Sequence, residues 1–225
     1  ILVPLFGLLF YHERPVPSAH AINFHEVIAF FRRPRMLRWL VALVTPSLLT
    51  SLPSVPFQAL FVDHGMSLTE IGLVLGVMSS IAGAIGGALG GYSVKELGRQ
   101  RAFFALNILC AICLAGGSLI VSLGSPSRSL LYGAVGATFF GIAAGRTIMR
   151  AMIMDRCRPH LASTDFTLQA SAAALVDAVG AATGGLLAGY LGAKVLFLSA
   201  PVLMVGMILV CARVLDRRDF QATQE

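Results

Sequence analysis

Asp177 and Arg146 are charged residues set deep inside long apolar stretches of this 225-residue sequence. A carboxylate in such a place can take up and release a proton. A guanidinium there can hold an anion or pair with the carboxylate. At mid-helix in a bilayer either charge costs about 2.5–3.5 kcal/mol on insertion scales, so such residues face a cavity or a partner. Asp177 shares a helix face with Ala170, Ala173, Gly180 and Gly184, and that face has to look inward. It is a candidate for proton coupling or for contact with a solute; the alternative is a structural partner of Arg146 or of an amide. Arg146 is a candidate for holding an anionic solute; the alternatives are an ion pair, or a side chain that reaches back to the polar boundary. Gln58, Asn107 and Gln169 are further polar candidates on the same pathway, with interhelical hydrogen bonding the plainer role for Asn107 and Gln169.

Other chemistries find little support. His12, His20, His25, His64 and His160 fall between the apolar stretches at spacings that match no metal site, so no metal and no cofactor is expected. Cys110 and Cys113 have C-x-x-C spacing but lie in an apolar stretch without other ligands; with Cys157 and Cys211 they read as small apolar residues. There is no G-x-x-x-x-G-K-[ST] loop for ATP and no nucleophile–base motif, so the chain is not expected to be an enzyme.

The elements that position these residues follow from composition. Hydrophobic residues make up 56% and charged residues 12% of the sequence, whereas soluble domains carry about 25% charge. Too little polar surface is left to cover a water-soluble globule. Six apolar stretches, over residues 39–61, 68–94, 102–121, 130–153, 166–188 and 193–215, are each long enough for a membrane helix. The expected fold class is therefore an all-α membrane protein, a six-transmembrane-helix bundle over 39–215. Residues 1–11 make an apolar run half a span long, which reads as the end of a truncated helix and the whole as a fragment with its upstream half missing. Residues 12–38 read as a polar linker in which Asn23 and Glu26 open a short amphipathic surface helix closed by Pro34, and 216–225 as a tail.

Net charge is +6, but the basic residues sit between the spans, which favours orientation in a bilayer over nucleic-acid binding. Arg14, Arg32, Arg33, Arg35 and Arg38 precede the first span; Lys95, Arg99 and Arg101 follow the second; Arg150, Arg156 and Arg158 follow the fourth; Arg213, Arg217 and Arg218 follow the sixth. The other face has Arg128 and Lys194 with Asp63 and Glu70. Basic residues collect on the cytoplasmic side, so linker and tail are expected there. Gly133, Ala137, Gly141 and Gly145 at a spacing of four, and glycines through the second span, predict close helix packing. Pro46, Pro53 and Pro56 predict a bent first span whose freed carbonyls border an aqueous cavity.

The turn after the second span reads Gly91-Tyr-Ser-Val-Lys95-Glu96-Leu-Gly98-Arg99-Gln-Arg101. It resembles the loop signature of the major facilitator superfamily, G-x-x-x-D-[RK]-x-G-[RK], with Gly91, Gly98 and Arg99 matching and Lys95 in the aspartate position. The resemblance implies the C-terminal half of a twelve-helix fold, helices seven to twelve. The stretches Met154-Asp155-Arg156-Cys-Arg158-Pro and Ala162-Ser-Thr-Asp165-Phe-Thr-Leu-Gln169-Ala-Ser171 are similar to the branch of AmpG-like muropeptide permeases and RhtX/FptX-like siderophore importers. So are Leu52-Pro-Ser-Val-Pro56-Phe and the Asp63–Gly72 segment.

The resemblance implies proton-driven import of a solute, an iron–siderophore first and an anhydromuropeptide second, across a bacterial inner membrane by alternating access. It also implies as partners the lipid bilayer, the missing six-helix half, the solute and protons. A membrane-embedded enzyme would need more clustered polar residues than Asp177 and Arg146; a transporter-derived scaffold or sensor stays open.

Overall fold

The first rod is shaped by its prolines. In the computed structural model, which describes residues 36–123 and 126–215, helix α1 (Met36–Ser51) contains Pro46 and helix α2 (Ser54–Asp63) is capped by Pro53. Helical hydrogen bonds still cross the junction, from Leu52 N to Leu48 O (3.1 Å) and from Phe57 N to Pro53 O (3.0 Å). The hydroxyls of Thr50, Ser51 and Ser54 donate to carbonyls three or four residues back. These acceptors, Pro46, Leu48 and Ser51, are not the carbonyls that the prolines leave without a donor, which are those of Ala42, Leu49 and Leu52. The rod runs on through both helices as one stretch, Arg38–Asp63. Residues 1–11, expected to end a truncated helix, most of the expected linker with its amphipathic helix, and the expected tail 216–225 lie outside the described residues.

Helix α3 (Leu68–Leu73) starts where Ser67 accepts a hydrogen bond from Glu70 N (3.2 Å). A single π-helical turn, Val74–Met78, joins it to α4 (Ser79–Ser122). Helix α4 is interrupted at Gly98, where φ is 74° and ψ 166°. That conformation is open to glycine and strained for other residues, so one residue does the work expected of a loop over 95–101. Helix α5 (Arg128–Asp155) follows, capped by Ser127, then a 3₁₀ turn at Pro159–Leu161, α6 (Ala162–Leu191) and α7 (Ala193–Val214).

Close approaches at glycine fix the direction of each rod. Along the arm before Gly98, Gly86 meets Phe140 and Gly90 meets Ala144 and Thr147, so this arm runs parallel to α5. Along the arm after Gly98, Cys110 and Cys113 meet Gly141, and Gly117 meets Thr138, so this arm runs antiparallel to α5. Gly180 and Gly184 of α6 meet Leu48, Ser51 and Leu52 in the same order, making α1 and α6 parallel. Ser118 donates to Phe197 O (2.5 Å) and Val121 clusters with Phe197, while Phe103, Leu106 and Cys110 share the other cluster with Met204, Ile208 and Cys211, so α7 runs against the second arm of α4. Among the described residues the chain therefore forms six rods alternating in direction. In lipid these contacts replace the hydrophobic effect as the source of helix association.

Among the described residues, four helical runs are long and apolar enough to cross a membrane: Arg38–Asp63, Leu68–Ser122, Ala162–Leu191 and Ala193–Arg213. The second, at 55 residues, contains both arms on either side of Gly98. The expected fourth span corresponds to α5, which is 28 residues long but diluted by its glycines, Thr138, Arg146 and Arg150. Two apolar clusters fill the interior. One, with Phe57, Phe61, Leu131, Val135 and Phe197, closes the end near Asp63 and Glu70. The other, with Trp39, Phe103, Ile148, Met152 and Met204, fills the half toward the opposite end. At that opposite end stand Arg38, Lys95, Arg99, Arg101, Arg156, Arg158 and Arg213.

Candidate functional site

A cavity of about 330 Å³ opens between α1, α5 and α6. Helix α1 contributes Leu43, Pro46, Ser47 and Thr50; α5 contributes Ile142, Gly145, Arg146, Met149, Arg150 and Ile153; α6 contributes Phe166, Ala170, Ala173, Ala174 and Asp177. Asn107, Cys110 and Met204 form its floor. The small residues of α6 leave the space, and Pro46, Ser47 and Thr50 line its α1 side.

Within it, one guanidinium nitrogen of Arg146 (Nη2) donates to Asp177 Oδ1 at 3.0 Å and to Oδ2 at 3.1 Å. The side chains are 45% and 29% exposed, so the pair opens on the cavity rather than being sealed in the core. A carboxylate that can lose its partner by protonation, beside a cation that can then take another anion, is an exchangeable pair.

The other candidates are placed differently. Asn107 lies on the floor but is buried, and its Nδ2 donates to Phe103 O (2.7 Å). Gln169 is fully buried outside the cavity lining: its Oε1 accepts from Trp39 Nε1 (2.7 Å) and its Nε2 donates to Asp165 O (3.2 Å). Gln58 stands exposed on α2, away from the lining. Of the prolines' freed carbonyls, that of Leu52 is packed against Gly184 rather than facing the cavity.

In the loop signature Gly91, Lys95, Glu96 and Arg101 are exposed and Gly98 makes the reversal. Arg99 grips Asp155 with two hydrogen bonds, Nε to Oδ2 and Nη2 to Oδ1, the latter at 2.6 Å. Three residues later Arg158 holds the buried Asp165 through its backbone N (3.0 Å), Nε (2.9 Å) and Nη2 (2.7 Å). Between them the Arg156 guanidinium lies 4.2 Å from the ring centre of Trp39. The short 155–158 stretch therefore ties the Gly98 turn to α1 and α6. In the sequence these residues stand out by their resemblance alone; the alternation of Asp155, Arg156, Arg158 and Asp165 is the signal for a paired cluster.

The profile of the Major Facilitator Superfamily matches residues 39–224. The chain belongs to the major facilitator superfamily. Members of this superfamily are typically transporters rather than enzymes, and the apolar helices make this one a multi-pass membrane protein. The superfamily match spans the cavity, the Arg146–Asp177 pair and the whole 155–165 cluster.

Proposed function

We propose that this major facilitator chain acts in proton-coupled symport by alternating access, with Asp177 as the proton-carrying group and Arg146 as the group that holds the solute. The partly exposed Arg146–Asp177 pair inside the cavity carries this reading. Protonating Asp177 removes the charge that occupies Arg146 and changes which conformation is favoured. The solute proposed first is an iron–siderophore, with an anhydromuropeptide second, on the strength of the 154–171 stretch. The basic end is proposed to face the cytoplasm of a bacterial inner membrane.

A six-helix partner half is part of the proposal. The most apolar window of Ala162–Leu191 is only 11% buried, so α6 offers most of its surface to something outside the described residues. Rocking of two halves about a central site is the general mechanism such an arrangement serves.

The test is uptake by the full-length protein in proteoliposomes with an imposed proton gradient, using labelled iron–siderophores and an anhydromuropeptide. Asp177→Asn is expected to abolish gradient-driven accumulation while leaving exchange down a concentration gradient. Accumulation by Asp177→Asn at the unaltered rate refutes the assignment.

A further inference from the structure

Arg150 lies one helical turn from Arg146 on the same face of α5, and both line the cavity. Four residues of α-helix put their Cα atoms about 6 Å apart along the axis. Arg146 is engaged by Asp177, whereas Arg150 is exposed and forms no ion pair among the described residues. The step from Arg146 to Arg150 leads toward the end of the bundle where Arg99, Arg156 and Arg158 stand. Around these cations the lining is apolar, with Leu43, Ile153 and Phe166 nearest that end of the cavity.

We infer that Arg150 is a binding residue for the acidic group of the solute, and that the site takes organic anions with an apolar body. The inference rests on the proposed solute site and adds the charge class of its ligand. Among the described residues the charged lining is Arg146, Arg150 and Asp177, so a monoanion balances it while Asp177 is ionised. Its carboxylate docks first on the unpaired Arg150. From there it is within one turn of Arg146, where it competes with the Asp177 carboxylate for the guanidinium. The apolar walls hold the body while the acid group is handed inward. An arginine this close to the basic end could equally meet an anionic lipid headgroup, and the test separates the two sources.

The experiment uses the full-length protein in detergent and three probes of one shape: benzoate, benzamide and benzamidine, which carry negative, no and positive charge. Thermal stabilisation reports binding to the folded state. Benzoate is expected to raise Tm, benzamide to raise it less and benzamidine not at all. Arg150→Gln is expected to weaken benzoate about tenfold, the loss of one charge-assisted hydrogen bond, without changing Tm in the absence of probe. Arg150→Lys restores most of the preference, and Arg213→Gln at the same end leaves it intact. Equal stabilisation by benzoate and benzamidine overturns the inference, as does unaltered benzoate binding in Arg150→Gln. A third result overturns it too: no response to any probe, with Arg150→Gln less stable than wild type only in phosphatidylglycerol nanodiscs and not in phosphatidylcholine ones. That would make Arg150 a lipid contact. Because binding is read without a gradient, loss of proton coupling in the uptake assay would leave these outcomes unchanged.

Discussion

Gly184 of α6 lies against the Leu52 carbonyl oxygen, the one that Pro56 leaves without its helical donor. The proline bend and the glycine are two halves of one contact. A Cβ at position 184 would fall on the carbonyl oxygen and carbon of Leu52, which are backbone atoms and cannot swing aside. Gly184→Ala is therefore expected to lower stability by about 1–3 kcal/mol, as overpacking does. Gly72→Ala makes the control, since nothing lies within 4 Å of a Cβ there. It is expected to be neutral or to stabilise by up to about 1 kcal/mol through helix propensity. Thermal unfolding of both variants in detergent decides; equal behaviour would mean that α1 and α6 are not in contact as described.

Arg99 and Asp155 tie the Gly98 reversal to the end of α5. Their side chains are 41% and 15% exposed, so solvent screens part of the attraction. A double-mutant cycle with Arg99→Gln and Asp155→Asn is expected to return a coupling of about 0.5–1 kcal/mol, the upper range for exposed pairs with bidentate geometry. Exchanging the two residues should recover part of that coupling. A coupling of zero would reduce the pair to a surface contact without a role in holding the turn.

The directions of the rods were legible in the sequence because arginine marks every second connection, and the glycines of α4 and α5 announced their packing faces. Gly98 was legible as a turn residue but not as a one-residue reversal, because helical hydrogen bonding continues up to it from both sides. Asp177 and Arg146 stood out by charge. Their bonding to each other depended on the register of α5 against α6, which no local pattern encodes. The helical wheel separates Gln169 from Asp177 by about 80°, at about 100° per residue, which turns it toward Trp39 instead of the cavity. Helix α6 is apolar on all sides, so hydrophobicity could not reveal that rotation. Arg150 read as a boundary residue, although its spacing of four from Arg146 already put both on one face.

Cys157 lies between α5 and α6, where burial pushes its thiol above the ordinary range and the carboxylates of Asp165 and Asp155 add to the shift. The thiolate is the nucleophile, so less of it is present at neutral pH than in free cysteine. Alkylation of Cys157 by a small maleimide, resolved by peptide mass spectrometry, is expected to be slow at pH 7 and to rise along a curve displaced to higher pH. Asp155→Asn removes one of the two carboxylates and is expected to move that curve toward lower pH. A profile matching free cysteine would contradict the described burial.

Trp39 is the single tryptophan of the sequence, which makes its fluorescence a direct reporter of the 155–169 cluster. It is 1% exposed, with its Nε1 donating to Gln169 and the Arg156 guanidinium over its ring. Gln169→Leu leaves the buried indole N–H without an acceptor, which costs about 1–3 kcal/mol. Arg156→Met removes both the cation and the planar group that lies over the ring, which costs about 0.5–2 kcal/mol. Both variants are expected to unfold at lower temperature than wild type, Gln169→Leu by the larger amount. Acrylamide quenching separates their causes. In Gln169→Leu the indole stays covered by α6 and quenching is unchanged, whereas in Arg156→Met the ring loses its lid and quenching rises. Unchanged quenching and stability in both would place Trp39 outside the cluster, and with it the link from α1 to α6 at the basic end.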